Sequence, residues 1–320
     1  MTTVPFDPTI RQAVAELRAG RLVAFPTETV YGLGADATNP DAVRRIFAAK
    51  GRPADHPVIV HLLDQTWLDQ WARDVPRDAL ALAEHFWPGP LTLILPRAAG
   101  VADVVTGGQD SVGIRVPSHP VARALLAAFD RGLAAPSANR FGRLSPTCAE
   151  DVRTELGDSV AMVLDGGASE VGIESTIVDC SGTAPALLRP GMIGTEAIAA
   201  VLGRPLAAAG HQSPRASGML RSHYAPATPL SLVRSVDLLQ QVRDARSPVG
   251  VLSFRGAPGG FDPIRWIEVA ADPVAYAHGL YAWLRRLDAA GCARLLVEAV
   301  PDTPEWAAIR DRLTRAAAAS

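Results

Sequence analysis

The chain has 320 residues, of which 48% are hydrophobic and 20% charged, and its net charge is −2. That length allows two domains with separate cores, the apolar content excludes a disordered chain, and the near-neutral charge excludes a general nucleic-acid surface while leaving room for a local basic groove. The three cysteines, Cys148, Cys180 and Cys292, are far apart and form no CxxC or Cys/His spacing, so neither structural zinc nor a disulfide framework is expected and a reducing cytoplasm fits best.

Met1 to Pro8 carries acid and proline where a signal peptide would be basic and then apolar, and no apolar run reaches membrane-spanning length. Arg11 to Leu17 predicts a helix with Ile10, Val14 and Leu17 on one face and Gly20 as its stop. Leu22 to Phe25 predicts a buried strand, and Pro26 to Ala37 a long hydroxyl- and glycine-rich turn where open α/β sheets put their ligands. Gly32, Gly34 and Ala37 mimic a GxGxxA dinucleotide fingerprint, but they do not open a helix directly off the strand, so NAD binding is not expected.

Lys50 is the only lysine among 31 basic residues. In a chain that otherwise uses arginine, a single retained ammonium suggests a need for a compact point charge, as in phosphate binding. The alternative is an amphipathic helix over Val43, Ile46 and Phe47, with Lys50 on its C-terminal dipole and Gly51 as C′ residue, which leaves Arg52 and Pro53 without a purpose. Pro57 to Leu62 predicts a strand that carries His61 in an apolar run, Asp78 to Trp87 a helix, Leu91 to Leu95 a strand, and Ser111 to Pro117 a strand with Arg115 inside it. An arginine so placed needs either a bound anion or an internal acidic partner. Val121 to Phe129 predicts a helix, Leu133 to Ala135 a short strand ending in Pro136-Ser137-Ala138-Asn139, and a further helix begins at Cys148 with Thr147 as N-cap. Val160 to Leu164, Ile173 to Val178 and the run closing in Arg189 predict further strands.

From Arg204 to Pro229 the pattern breaks into Gly, Ala, Ser and Pro, which predicts a linker, yet Ser217 to Pro226 is too rich in large and functional side chains for a spacer. Strands over Val249 to Phe254, Trp266 to Val269 and Leu295 to Ala299 alternate with helices over Val274 to Ala290 and Glu305 to Ala318. They predict a small second α/β domain. The expected division is therefore 1–203, a linker at 204–229 and 230–320.

The chain has no GxxxxGK loop, GxSxG elbow or HExxH helix, which excludes a P-loop enzyme and disfavours a serine hydrolase or zincin. One Lys, strand-end Arg residues and loop hydroxyls can bind a polyphosphate and orient small reactants, which is most of what nucleotidyl transfer demands.

Phe25 to Ala37, Lys50 to Pro53, Pro57 to Leu62, Phe86 to Thr92, Val112 to Pro117, Ala135 to Asn139 and Glu174 to Asp179, in this order and spacing, resemble the YrdC-type domain family. With Arg189-Pro190-Gly191 and His223-Tyr224-Ala225-Pro226, the whole chain resembles the longer, two-domain form of threonylcarbamoyl-AMP synthase. The resemblance implies a YrdC-type twisted open mixed α/β sheet with flanking helices, plus a smaller Rossmann-like α/β domain. It implies a nucleotidyltransferase that joins L-threonine, bicarbonate or CO2 and ATP into threonylcarbamoyl-adenylate and pyrophosphate for threonylcarbamoyladenosine formation on tRNA. Mg²⁺ would arrive with ATP and no side chain would ligate metal; zinc, flavin and NAD are not expected. The product would pass to a tRNA threonylcarbamoyl transferase, with tRNA contact indirect and no membrane contact.

By the same resemblance Thr29, His61, Arg115, the Ala135 backbone and Ser175 hold threonine. Lys50 and Arg52 are the catalytic cations. They surround the nucleotide with His56, Ser111, Ser137, Asn139, Ser145 and Arg189, and Tyr224 reaches back from the linker to cover it. His56 stands where the family commonly has Asn. A noncatalytic RNA-binding module, with Arg115, Arg140, Arg143 and Arg189 clasping a phosphate backbone, is the alternative, and sparse aromatics and near-neutral charge oppose it.

Overall fold

The computed structural model describes residues 7–210, 213–220, 223–262 and 265–318. Met1 to Phe6, and Arg221 and Ser222 of the linker, lie outside the described residues. Helix α1, Pro8–Arg18, starts where the Asp7 side chain accepts the Thr9 N–H and buries Ile10, Ala13, Val14 and Leu17. Helix α2, Pro40–Lys50, is capped by Asn39 and ends where Gly51 takes φ of 61°, a left-handed turn that a Cβ would strain.

Between the two helices lie β1, Val23–Phe25, and β2, Gly32–Asp36. The second strand corrects the reading of Pro26 to Ala37 as one continuous turn. Its residues are buried on both faces, and Gly34 lies so flat on Phe25 that an added Cβ would sit 2.8 Å from the ring. These glycines serve strand packing, not a phosphate loop.

The following elements are β3, Ile59–His61; α3, Arg77–Phe86; β4, Leu91–Pro96; α4, Asp103–Thr106; β5, Ser111–Arg115; α5, Pro120–Phe129; β6, Leu133–Ala134; α6, Ala149–Leu156; β7, Met162–Val163; β8, Thr176–Asp179; β9, Ala186–Arg189; and α7, Thr195–Leu202. The cap of α6 is Cys148 and not Thr147, because the Asp151 carboxylate folds back to accept the backbone N–H of Thr147 at 2.9 Å and of Cys148 at 3.4 Å. The nine strands form one mixed sheet in the order β7-β1-β2-β6-β3-β5-β4-β8-β9. Strands β3 and β5 run parallel with His61 opposite Arg115, and β4 runs antiparallel to β5 with Thr92 opposite Arg115. Because residues paired across strands point to the same face, this register alone sets a histidine, an arginine and a threonine side by side.

The second body contains β10, Leu230–Val233; α8, Leu238–Asp244; β11, Val249–Ser253; β12, Trp266–Glu268; α9, Pro273–Asp288; β13, Arg294–Glu298; and α10, Ala307–Ala317. Its four strands are all parallel in the order β10-β13-β11-β12, the expected Rossmann-like arrangement. The elements missed from sequence, α4, α7, β10 and α8, have at most eight residues each and carry too few turns for a periodic signal. One apolar cluster runs from Leu280, Leu284 and Ile309 of the second body to Val30, Leu144, Ile173 and Tyr224 of the first, so the two share a core at their junction.

That junction is tight at Gly172, where φ is 80° and an added Cβ would lie 2.5 Å from the carbonyl oxygens of Ala277 and His278 in α9. Gly172→Ala is expected to lower unfolding stability by about 1–3 kcal/mol through overpacking, whereas Gly182→Ala, which faces open space, should stay within about 0.5 kcal/mol. Equal denaturant midpoints for the two variants would contradict the close approach.

Candidate active site

A cavity of about 40 Å³ opens where β3, β5, the loop after β6 and the strands β8 and β9 converge. Thr29, His61, Arg115, Ala135 and Ser175, the whole expected threonine set, line it. So do Arg52, Ser137, Arg189 and Tyr224 of the expected nucleotide set. Lys50, His56, Ser111, Asn139 and Ser145 stand behind or beside that wall.

At the threonine end Arg115 is buried with 4% exposure. Its Nη1 donates to Thr29 Oγ1 at 2.7 Å, and its Nη2 lies 2.8 Å from Glu28 Oε1 without hydrogen-bond alignment. The strand arginine therefore has the internal acidic partner that sequence left open. Glu28, inside the Pro26 to Ala37 stretch, is a residue that sequence reasoning passed over. Thr92 and Ser175 share a 2.8 Å hydroxyl contact beside it. His61 is buried, Nδ1 has no hydrogen-bond partner, and burial, then the Arg115 charge, lowers its pKa to about 3, so the ring is neutral. A buried ring nitrogen with nothing to bond is a group that a ligand can satisfy.

At the other end Arg52 and Arg189 are 8% and 3% exposed. Arg189 donates to the carbonyl and hydroxyl of Ser175 at 3.0 Å each and to the carbonyl of Ser217 at 2.9 Å. Arg52 donates to the Pro57 carbonyl at 2.7 Å and to Ser217 Oγ at 3.3 Å. Burial lowers the Arg52 pKa to about 10 and the nearby Arg189 charge adds to the effect, yet the group stays cationic at neutral pH. Lys50 points beneath this wall: Nζ donates to the Ser137 and Asn139 carbonyls, which fixes the Ser137–Asn139 loop. Burial, then Arg52, pulls its pKa well below the usual lysine value. The Asn139 side chain links the same loop to the Arg140 and Arg143 carbonyls, and Ser137 Oγ donates to Asn139 Oδ1. His56 is half-buried against Phe141, and Ser111 lines a separate 10 Å³ cavity shared with Arg215 and Ser217.

The linker closes the site. Tyr224 is 1% exposed and holds a left-handed φ of 59°, a strained state for a tyrosine that its surroundings must enforce. Gly218 is fixed as glycine by its φ of 81° and because a Cβ would meet the Tyr224 hydroxyl at 2.0 Å. His223 stacks edge-on to Tyr224 and Phe141, and burial lowers its pKa to about 3.

The floor of the cavity is Glu174, which sequence reading noted only as a polar group near a strand. Burial raises its carboxyl pKa, but Arg312, Arg189 and Ser145 together outweigh that and hold it at about 2. Ser145 donates to one carboxylate oxygen, Tyr281 donates to the carboxylate at 3.0 Å, and Arg312 Nε donates at 2.7 Å. The signal for Arg312 was present in sequence: it is the charged member of the buried stripe Ile309, Leu313 and Ala316 on α10. Of the four arginines of the RNA-clasp alternative, Arg115 and Arg189 line the cavity, whereas Arg140 and Arg143 do not: Arg140 bonds to Glu155 and Arg143 lies 3.7 Å from Asp288. Among the described residues no group of three or more His, Cys, Asp and Glu could hold a metal, and no helix is long and apolar enough to cross a membrane.

Residues 15–191 match the Sua5_yciO_yrdC family, described as telomere recombination, and residues 193–318 match the threonylcarbamoyl-AMP synthase C-terminal domain. A threonylcarbamoyl-AMP synthase of Bacillus subtilis is 42% identical over 323 residues, covering 97% of this chain and 93% of its own. The crystal structure of Pyrococcus abyssi Sua5 complexed with L-threonine superposes with a TM-score of 0.88 at 37% identity, covering 96% of this chain and 94% of that one. A threonylcarbamoyl-AMP synthase of Halorhodospira halophila is 38% identical over 164 residues, which are 51% of this chain and 85% of its own.

The neutral buried His61 has a consequence for stability. Its folded pKa of about 3 lies below the ordinary value of 6.5, so between those values the unfolded chain takes up a proton that the folded chain refuses, and stability falls as pH drops below 6.5. His61→Asn is expected to flatten the stability profile from urea unfolding between pH 6.5 and 5 by about 1 kcal/mol per pH unit. Parallel profiles for wild type and variant would mean that His61 charges freely in the folded state.

Proposed function

Because the chain belongs to the Sua5/YrdC family of threonylcarbamoyl-AMP synthases, in the form that carries the additional C-terminal domain, we propose that its cleft is divided between threonine at the Arg115 end and ATP at the Arg52 and Arg189 end. The activity is synthesis of threonylcarbamoyl-AMP. The division of the chain into 1–203, a linker at 204–229 and 230–320 belongs to the same proposal, and the two separate sheets support it.

The observation that carries the assignment is a pair of buried polar atoms at the cavity that lack a hydrogen-bond partner in the protein: His61 Nδ1 at one end and Arg52 Nε at the other. On this reading the threonine carboxylate lies beside the Arg115 guanidinium and is drawn by its charge, with Thr29, His61, Ser175 and the Ala135 backbone around the rest of the amino acid. Its neutral amine attacks CO2 and loses a proton to give a carbamate. A carbamate oxygen then attacks the α-phosphorus, and the bond to pyrophosphate breaks. Arg52 and Arg189 offset the phosphate charge, Lys50 fixes the Ser137–Asn139 loop against the nucleotide, and His56, Ser111, Ser145 and Tyr224 complete its surroundings. Mg²⁺ would be carried by the phosphates, whose charge it offsets, since no described side-chain cluster suits it. The product would pass to a tRNA-modifying transferase.

A cavity of about 40 Å³ is far below the roughly 300–1,000 Å³ that encloses a small-molecule ligand, so we read this arrangement as the closed state. Ser217 occupies Arg52 and Arg189, the groups that phosphate would take, and must withdraw for ATP to enter.

The test is pyrophosphate release from ATP that depends on threonine and bicarbonate. Arg115→Ala is expected to raise the threonine KM about 100-fold with little change in the ATP KM. Lys50→Ala is expected to abolish turnover while circular dichroism stays native. An Arg115→Ala enzyme with an unchanged threonine KM, or a fully active Lys50→Ala enzyme, would remove that residue from the assignment.

A further inference from the structure

Helix α10 sends one charge across the domain junction. Arg312, 1% exposed, donates through Nε to Glu174 Oε2 at 2.7 Å, through Nη2 to the Glu174 carbonyl at 3.3 Å and through Nη1 to the Pro190 carbonyl at 3.0 Å. Its guanidinium carbon lies 5.1 Å from the centre of the Tyr224 ring, within cation–π range. Tyr281 of α9 adds its hydroxyl to the same carboxylate at 3.0 Å. Nη1 of Arg312 also donates to Asp311 Oδ2 at 2.8 Å, whereas Nε and the Tyr281 hydroxyl meet on Glu174, the carboxylate that lines the cavity. Arg189 donates to the carbonyl and hydroxyl of Ser175, the residue next to Glu174, and is the other arginine whose charge acts on the Glu174 carboxylate. A carboxylate turned toward Arg189 would cancel charge needed by a triphosphate, and in a buried site that repulsion is screened little by solvent.

We propose that Arg312 is a positioning residue for the nucleotide: it neutralises Glu174 and holds it at the domain junction, so that Arg189 and Arg52 keep their charge for phosphate. This is the second domain's contribution to the active site, and it rests on the reading of Arg52 and Arg189 as nucleotide contacts. The threonylcarbamoyl-AMP synthase that matches only 51% of this chain supports a compensating role over a chemical one, since a chain without both of these domains carries the same name.

The experiment uses the full chain, with KM for ATP and for threonine, kcat and melting temperature measured for each variant. Arg312→Met is expected to raise the ATP KM about tenfold and leave the threonine KM within about twofold. Adding Glu174→Gln to it is expected to return the ATP KM to within about threefold of wild type, because no unpaired carboxylate remains beside the phosphates. Arg312→Lys keeps the charge and loses the fork, so its ATP KM should stay within about threefold of wild type even where its melting temperature falls. A folded Arg312→Met enzyme with only a lower kcat and an unchanged ATP KM would overturn the proposal and leave Arg312 a structural residue. A double variant that keeps the raised ATP KM, or a folded Arg312→Lys enzyme raised about tenfold, would overturn it too. Arg189→Ala separates the two layers. An unchanged ATP KM there sinks the underlying nucleotide reading, whereas a raised one beside a wild-type-like Arg312→Met removes Arg312 alone.

Discussion

Lys50, Arg52, Arg115, Arg189 and Arg312 are each less than a tenth exposed at or behind the wall of one cavity, and among the described residues the fully buried carboxylates beside them are Glu28 and Glu174, with the partly buried Asp311 also paired to Arg312. Taking a charge out of water costs several kcal/mol unless partners replace the lost solvation, and that cost organises everything near the site. Glu28 answers Arg115, Glu174 answers Arg312, and backbone carbonyls answer Lys50, Arg52 and Arg189. Carbonyl dipoles offset desolvation without cancelling the charge, so the unmatched positive potential is concentrated on the side where the nucleotide is assigned. Arginine is well suited to this: it is weakly hydrated and stays charged, whereas burial draws the Lys50 ammonium well below its usual pKa. The solitary lysine is therefore best understood through the two carbonyls it bridges. Three donors on a compact ammonium can join the Ser137 and Asn139 carbonyls, which a planar fork fits less well.

What could be read from sequence follows from how local the cause is. Helix α2, its Gly51 stop and Lys50 on its last turn depend on neighbours within a few residues, and caps and periodicity display them directly. The threonine-side group was gathered from separate stretches by resemblance to a family. The physical reason they meet is the β3/β5 register, which places His61 opposite Arg115, and no pattern within either strand encodes that pairing. Gly32 and Gly34 misled because a strand buried on both faces has no polar alternation, and glycine there looks like a turn. Glu28, Glu174 and Arg312 went unassigned for another reason. A buried charge declares itself only when its partner is known, and Glu174 and Arg312 are 138 residues apart.

The linker combines two kinds of attachment, and the difference bears on how the site can open without dissolving the domain junction. Ser217 is held by polar contacts: its carbonyl to Arg189, its hydroxyl to Arg52 and to the Pro57 carbonyl at 3.1 Å. Each such bond contributes about 0.5–1.5 kcal/mol net, and phosphate oxygens can replace those made by the two arginines, so exchange of Ser217 for a nucleotide is close to balanced. Tyr224 is held differently. It is packed in the shared core with Leu280 and Ile309, faces the Arg312 guanidinium, and keeps a left-handed backbone that its packing must sustain. Removing one partner of a buried ion pair such as Glu174 with Arg312 typically costs about 3–5 kcal/mol, several times the cost of releasing one polar contact at Ser217. Tyr224 is thus tied into the shared core at the domain junction, whereas Ser217 is tied to the site by polar contacts alone.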